Sequence, residues 1–245
     1  DLLGEVGPRA TTVTVNAAIA ACADAGEWRR ALDLLREHGE RDTISFNSAI
    51  AGCTKSGRWR EAVELLDQMQ AEGVPATSST YTSAIAACER GGAVTEAVRL
   101  WDRLQASNVR KEAPVYNAML LAAARGGQWR LALALLHELQ EAGLPKTART
   151  LQTIVRACER AGRCEEAIQA LAGFQEVVDP AYFHSVADRL ERGLLGHGTG
   201  TSELAAPGDS GPYLPAGGLG EVPVLPVPVH ATVDLTPVER AVGAA

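Results

Sequence analysis

Apolar residues recur along this chain at three- and four-residue spacings, the pattern of helices that bury one face. Two such segments alternate and then begin again after about 35 residues. We call the polar position that opens each copy the anchor. The anchors are Asn16, Asn47, Thr82, Asn117 and Gln152, which lie 31, 35, 35 and 35 residues apart. A repeat of this length predicts stacked helix pairs rather than a globular core.

Glycine and alanine occupy fixed positions in every copy. A glycine follows each anchor by ten residues and an alanine follows it by fifteen. The glycine predicts the end of a first helix, because glycine adopts a left-handed backbone conformation without steric cost. We expect first helices near residues 12–25, 43–56, 78–91, 113–126 and 148–161, and second helices near 28–39, 58–72, 93–107, 128–142 and 163–175.

The pattern predicts an all-α fold, a right-handed α-solenoid of helix-turn-helix repeats. The expected repeats within residues 12–178 are 12–42, 43–77, 78–112, 113–147 and 148–178. Gly7 stands where an earlier copy would end, so we expect residues 1–11 to close a preceding repeat. Residues 179–193 predict a capping helix or a decayed repeat, opened by Asp179 and Pro180.

The segment from 194 to 245 is rich in glycine and proline and lacks a helical period. This composition predicts a linker or a disordered tail, and a few extended strands near residues 222–233 are the alternative. The segment also carries much of the acidity: the chain has a net charge of −7, whereas residues 1–193 hold 22 basic and 25 acidic side chains. The repeats are therefore nearly neutral, which argues against strong nucleic-acid binding unless their basic residues share one face.

Cysteine and tryptophan recur in register with the repeats. Cys22, Cys53, Cys88 and Cys158 each follow an anchor by six residues, which predicts small buried packing residues rather than metal ligands. We expect no metal, no cofactor and no catalytic apparatus in this chain. We interpret the tryptophans at the start of second helices as packing between repeats; they are Trp28, Trp59 and Trp129.

One copy shows the repeat in full: it begins with Tyr116-Asn117, turns at Arg125-Gly-Gly127 and ends with Ala142-Gly-Leu-Pro145. This order resembles the pentatricopeptide repeat family, over roughly residues 5–178. The 31-residue first unit is similar to the short unit of the plant-type subfamily. The tetratricopeptide repeat has a similar length, but its Leu-Gly and Tyr elements are missing from the first helices here.

The resemblance implies that each anchor and the last residue of the same repeat recognise one RNA base together. The implied base-reading residues are Asn16, Asp42, Asn47, Thr77, Thr82, Glu112, Asn117, Thr147 and Gln152. A carboxylate can only accept hydrogen bonds, so Asp42 and Glu112 should favour uracil or guanine, whose pairing edges carry an imino N–H. The family uses the combination of Asn16 with Asp42 for uracil. Helix capping is the structural alternative for the anchors.

Two further columns complete the implied RNA site. The residues three before the anchors would sandwich the bases; they are Val13, Ile44, Pro114 and Arg149, with Ser79 as a departure. The residues eight after the anchors would contact phosphates; they are Lys55, Arg90, Arg125 and Arg160, with Asp24 as the exception. A basic residue there would also stabilise the helix C-terminus, and both roles can hold.

These expectations converge on sequence-selective binding of single-stranded RNA, about one base per repeat. The resemblance implies RNA processing, stability or translation in a mitochondrion or plastid, with RNA-processing proteins as further partners and no membrane or small-molecule substrate. Two alternatives stay open. The repeats could form a protein-binding scaffold of the tetratricopeptide type, or the RNA-targeting half of a nuclease whose catalytic domain lies elsewhere.

Overall fold

The structure is a computed structural model that describes residues 12–174 and 178–197, with side chains as far as Arg192. Within these residues it contains eleven α-helices and no strand, which confirms the predicted helical-repeat solenoid. The helices are α1 (Thr12–Asp24), α2 (Trp28–Glu37), α3 (Thr43–Lys55), α4 (Trp59–Ala71), α5 (Ser78–Arg90), α6 (Val94–Ala106), α7 (Ala113–Arg125), α8 (Trp129–Glu141), α9 (Ala148–Arg160), α10 (Cys164–Ala172) and α11 (Pro180–His197). The predicted preceding repeat at 1–11 lies outside the described residues.

The last helix corrects one expectation. The tail was predicted to begin at residue 194, but α11 continues to His197. Leu194 and Leu195 are strong helix formers, and the neighbouring glycines each cost about 1 kcal/mol without breaking a helix. The rest of the predicted tail lies outside the described residues.

Glycine ends the first helices as predicted. Gly57 follows α3 with φ 66°, and the corresponding glycines of the other copies also have positive φ. Directly after Gly57, the Arg58 N–H donates to the Cys53 carbonyl over 2.8 Å. This bond satisfies a carbonyl that has no partner within the helix, so the chain turns sharply into the second helix.

The helices form two layers. Each first helix packs beside the first helix of the next repeat, as α1 does with α3 and α3 with α5. Each second helix packs between the first helix of its own repeat and that of the following one. The alanines fifteen residues after the anchors are wholly buried at this junction, for example Ala62 and Ala97. The first helices therefore present one continuous surface.

The cysteines and one tryptophan pack as predicted. Burial raises the pKa of the Cys53 thiol to about 11 and that of Cys88 to about 12, so both stay neutral in the interior. The half-buried Trp59 lies directly against Gly91 of the next repeat, where a β-carbon would collide with the indole ring. Trp59 thus joins two repeats and leaves no free ring face for a base on that side.

Candidate nucleic-acid interface

One stripe along each first helix collects the predicted site residues. The positions three before, at, four after and eight after the anchor share one helix face. In α7 they hold Pro114, Asn117, Leu121 and Arg125. We call the row of these stripes the first-helix surface.

The anchors lie within the helices rather than at their caps. Each described anchor is the fifth residue of its first helix, as Asn47 is in α3. Asn47, Thr82 and Asn117 are half-buried, and Gln152 is exposed. Asn16 differs, because only 8% of it is exposed.

Capping belongs instead to the other predicted base-reading column. Asp42 caps α3, Thr77 caps α5 and Thr147 caps α9 through their side chains. Glu112 stands at the same place before α7 but makes no side-chain capping bond. The end of one repeat and the start of the next are thereby tied together. The capping alternative was therefore assigned to the wrong column.

The structure joins one predicted base-reading pair directly. The Asn16 amide Nδ2 donates to the Asp42 carboxylate, at 3.1 Å from Oδ1 and 3.3 Å from Oδ2. Burial of the Asp42 carboxyl opposes ionisation, but hydrogen bonds from Ser45 and Asn16 outweigh it and lower the pKa of Asp42. The carboxylate is therefore an acceptor at neutral pH.

Within the described residues, no such bond joins the two members of the other predicted pairs. Thr80 donates its hydroxyl to the Asn47 Oδ1 over 2.6 Å, and Thr150 donates to the Asn117 Oδ1 over 3.3 Å. The Thr82 hydroxyl donates to the Ser78 carbonyl of its own helix over 2.7 Å. Sequence reasoning missed the row of hydroxyls that contacts the asparagines; a Ser or Thr two residues before the next anchor is its signal.

The column three residues before the anchors is exposed throughout. Val13 is 76% exposed and Ile44 is 61% exposed, and they are the two exposed large hydrophobic residues among the described ones. Pro114 and Asn117 of α7 and Arg149 of α9 line one cavity of about 230 Å³. A cavity with this lining can hold a partly apolar group beside the polar Asn117 side chain.

The basic column is exposed but partly paired. Lys55 forms an ion pair with Asp24, and the Arg125 Nε lies 2.6 Å from the Glu89 carboxylate. Arg160 makes no ion pair within the described residues. It lines a second cavity, of about 500 Å³, together with Arg125 and Arg156.

Arg156 is a residue that sequence reasoning missed. It follows Gln152 by four residues, where the other copies have alanine or leucine. Its helical spacing from both Gln152 and Arg160 was the available signal. The three arginines give the C-terminal end of the first-helix surface a concentrated positive charge.

Comparison with known proteins agrees with this geometry. A model of the PPR repeat family matches residues 41–90, and a model of the PPR repeat matches 13–37, 79–109 and 114–144. The chain belongs to the pentatricopeptide repeat family. No curated protein sequence matches this pentatricopeptide repeat chain.

Several solved structures are similar to this pentatricopeptide repeat chain. Maize PPR10 is 28% identical, with a TM-score of 0.59 over 74% of this chain and 28% of its own. PPR10 in complex with an 18-nt psaJ RNA element is 25% identical, with a TM-score of 0.54 over 76% of this chain and 31% of its own. This chain thus spans under a third of PPR10.

A third structure shares the fold alone. The PPR domain of Arabidopsis thaliana protein-only RNase P 1, in complex with tRNA, is 14% identical. The match covers 75% of this chain and 98% of that domain, with a TM-score of 0.62. Among the described residues of this chain, no helix is long and apolar enough to cross a membrane, and no cluster of metal-binding side chains occurs.

Proposed function

We propose that this pentatricopeptide repeat chain binds single-stranded RNA along the first-helix surface, about one base per repeat. The observation that carries the proposal is the cavity that the exposed Pro114 and Arg149 line together with the anchor Asn117. A base placed there would stack on exposed side chains and meet a polar group at its edge. Val13 and Ile44, the corresponding residues of the first two repeats, are likewise exposed. PPR10, 25% identical over most of this chain, binds RNA.

Base selectivity would arise from the hydrogen-bonding groups that each repeat presents. Asn16 places an amide donor beside the Asp42 acceptor. Uracil carries the complementary order on its pairing edge, a carbonyl oxygen beside an imino N–H, and guanine shares it. Asn16 contacts both oxygens of the Asp42 carboxylate and the Ser45 N–H donates to Oδ1, so Oδ2 is the oxygen assigned to accept the imino N–H of the base. We assign uracil to this repeat, in line with the family's use of the pair.

The remaining repeats would select less sharply. Thr82 with Glu112 is similar to the family's guanine pair, although its acid is longer. The pairs Asn47 with Thr77 and Asn117 with Thr147 end in a hydroxyl, which both donates and accepts, so we assign a loose pyrimidine preference.

Affinity would come mainly from the basic column and the RNA backbone. Lys55, Arg90, Arg125 and Arg160 stand on one face. The Lys55–Asp24 pair joins exposed side chains in water, and such a pair contributes little, so a phosphate can compete for Lys55. Arg125 is exposed, but its partner Glu89 is buried, so that pair is less screened by water. The basic column would thus attract phosphates although the chain as a whole is acidic.

The cellular role that fits this surface is RNA processing, stability or translation in a mitochondrion or plastid. The chain would act without catalysis of its own and would bring RNA to other processing proteins. A peptide-binding scaffold would need neither the cavity lined by Pro114, Asn117 and Arg149 nor the column of basic residues.

The test is a titration of the whole chain against a labelled single-stranded RNA rich in uridine, at stated salt. Saturable binding is expected, and it should weaken when Lys55 and Arg90 are both changed to Glu. Asn16→Ala should change base preference more than affinity. Failure to bind at low micromolar protein and moderate salt would reject the proposal and favour the scaffold.

A further inference from the structure

We propose that a buried hydroxyl on each of the first helices α3, α5 and α9 sets which way round the asparagine of the preceding repeat presents its amide. The inference rests on the proposed function, because its consequence is base preference. The hydroxyl belongs to the third residue of the helix, which is Ser45 in α3, Thr80 in α5 and Thr150 in α9. It is a positioning residue that acts through the asparagine.

The contacts are specific to asparagine anchors. The distance to the asparagine Oδ1 is 2.5 Å from Ser45, 2.6 Å from Thr80 and 3.3 Å from Thr150. Helix α7 lacks both partners of this contact. Its third residue is Val115 instead of a serine or threonine, and the anchor of the preceding repeat is Thr82 instead of an asparagine. Hydroxyl and asparagine therefore occur together in this chain, and they are replaced together.

The chemistry fixes the direction of these bonds. The backbone N–H of Thr77 donates to the Thr80 Oγ1 over 3.0 Å, and the backbone N–H of Asp42 donates to the Ser45 Oγ over 3.3 Å. A backbone N–H can only donate, so each hydroxyl already accepts one bond and has its own proton to give. Contacts of 2.5 and 2.6 Å fit an O–H···O bond and are too short for an amide N–H donor. Each hydroxyl also lies near the capping side chain, at 2.8 Å from the Asp42 Oδ1 for Ser45 and 3.0 Å from the Thr77 Oγ1 for Thr80. The contact to the asparagine is the shorter one in both cases, so the asparagine oxygen is the atom that faces the hydroxyl.

A second argument gives the same orientation at Asn16. The ionised Asp42 carboxylate lies on the other side of the amide and can only accept, so the Asn16 NH₂ group must face it. When the Asn16 amide oxygen faces Ser45 and its nitrogen faces Asp42, both neighbouring side chains have a suitable hydrogen-bond partner. At Asn47 the same order leaves the NH₂ group for a ligand.

The orientation has a direct consequence for base preference. An outward NH₂ donates to the carbonyl oxygens of pyrimidines, whereas an outward carbonyl would accept from the amino groups of adenine or cytosine. Ser45 and Thr80 are wholly buried, so they do not contact RNA themselves. Removing the hydroxyl would free the amide to rotate and let each repeat accept both kinds of base.

The test uses Thr80→Val, which keeps the side-chain shape, in the whole chain. Two single-stranded RNAs are compared that differ only in uridine or adenosine at the nucleotide facing Asn47. Discrimination between them should fall by about tenfold, with affinity for a non-specific strand unchanged. Thr80→Ser should retain it. The matched control is Val115→Thr, which should leave the discrimination between uridine and adenosine unchanged, because Thr82 has no amide to orient. Unchanged discrimination in folded Thr80→Val would overturn the inference.

A measurement without RNA separates this inference from the proposed function and from any folding defect of the variant. In an NMR spectrum of the unchanged chain, the Asn47 side-chain NH₂ protons should be resolved and should show no strong NOE to Thr80. A strong NOE would place the nitrogen toward Thr80 and reject the inference even if RNA binds. An oriented amide in a chain that fails to bind RNA would reject only the proposed function.

Discussion

The Asn16 amide nitrogen lies 3.1 Å from the Asp42 carboxylate oxygen, although the two residues are 26 positions apart in the chain. Asp42 also accepts from the Ser45 N–H over 2.8 Å and so caps the next helix. One carboxylate therefore holds two repeats together and presents an acceptor on the first-helix surface. Its two roles can be separated by experiment.

The role of Asp42 in base selection is tested by Asp42→Asn. Asparagine caps helices about as well as aspartate, so the fold should be kept, but its amide offers a donor as well as an acceptor. We expect the preference for uracil over cytosine at this repeat to fall by about tenfold. Binding to RNAs that differ only at this nucleotide measures it. Glu112→Gln is the control, because it should leave this nucleotide's preference intact; equal loss in both variants would contradict the assignment.

The role of Asp42 in stability predicts a dependence on pH. Its pKa is lowered in the folded chain, so its ionised form stabilises the fold above the unfolded pKa of about 3.9. That contribution is lost as the pH falls through the lowered pKa. Between pH 7 and pH 3 the unchanged chain should therefore lose more unfolding free energy than Asp42→Asn, by about 1 kcal/mol at most because the carboxyl is partly exposed. Urea denaturation at both pH values measures this, and equal losses would exclude the contribution.

The sequence predicts the helices well, but it does not predict the contacts between repeats. The ends of the first helices follow directly from residues such as Gly57, because a positive φ favours glycine, and these predicted ends lie within a residue of those observed. The second helices α2 and α10 end two and three residues earlier than predicted. The burial of Asn16 and the buried hydroxyl of Thr80 depend on contacts between repeats, which a helical period does not describe. Arg156 breaks the repeat pattern and therefore escaped a search made by columns.

Arg156 and Arg160 should contact RNA phosphates. Both line the same cavity, and neither forms an ion pair within the described residues. Replacing either with alanine should reduce the slope of log affinity against log salt by about 0.7, the value for one phosphate contact on a single strand. Base preference should stay unchanged. Arg130→Ala is the matched control, because Arg130 lies over the Trp129 ring on a second helix. An unchanged slope in both variants would remove this cavity from the site.

The contact between Trp59 and Gly91 predicts where the repeats are most sensitive to a single methyl group. Gly91→Ala would drive a β-carbon into the indole ring, so either the ring or the junction between α4 and α5 must shift. Overpacking of this kind costs about 1–3 kcal/mol, and thermal or urea unfolding should show a loss in that range. Gly39→Ala is the control, because a β-carbon there meets nothing within 4 Å and φ is not positive. If both variants unfold at the same midpoint, Trp59 does not join the two repeats in the way the structure indicates, and its ring becomes available for another contact.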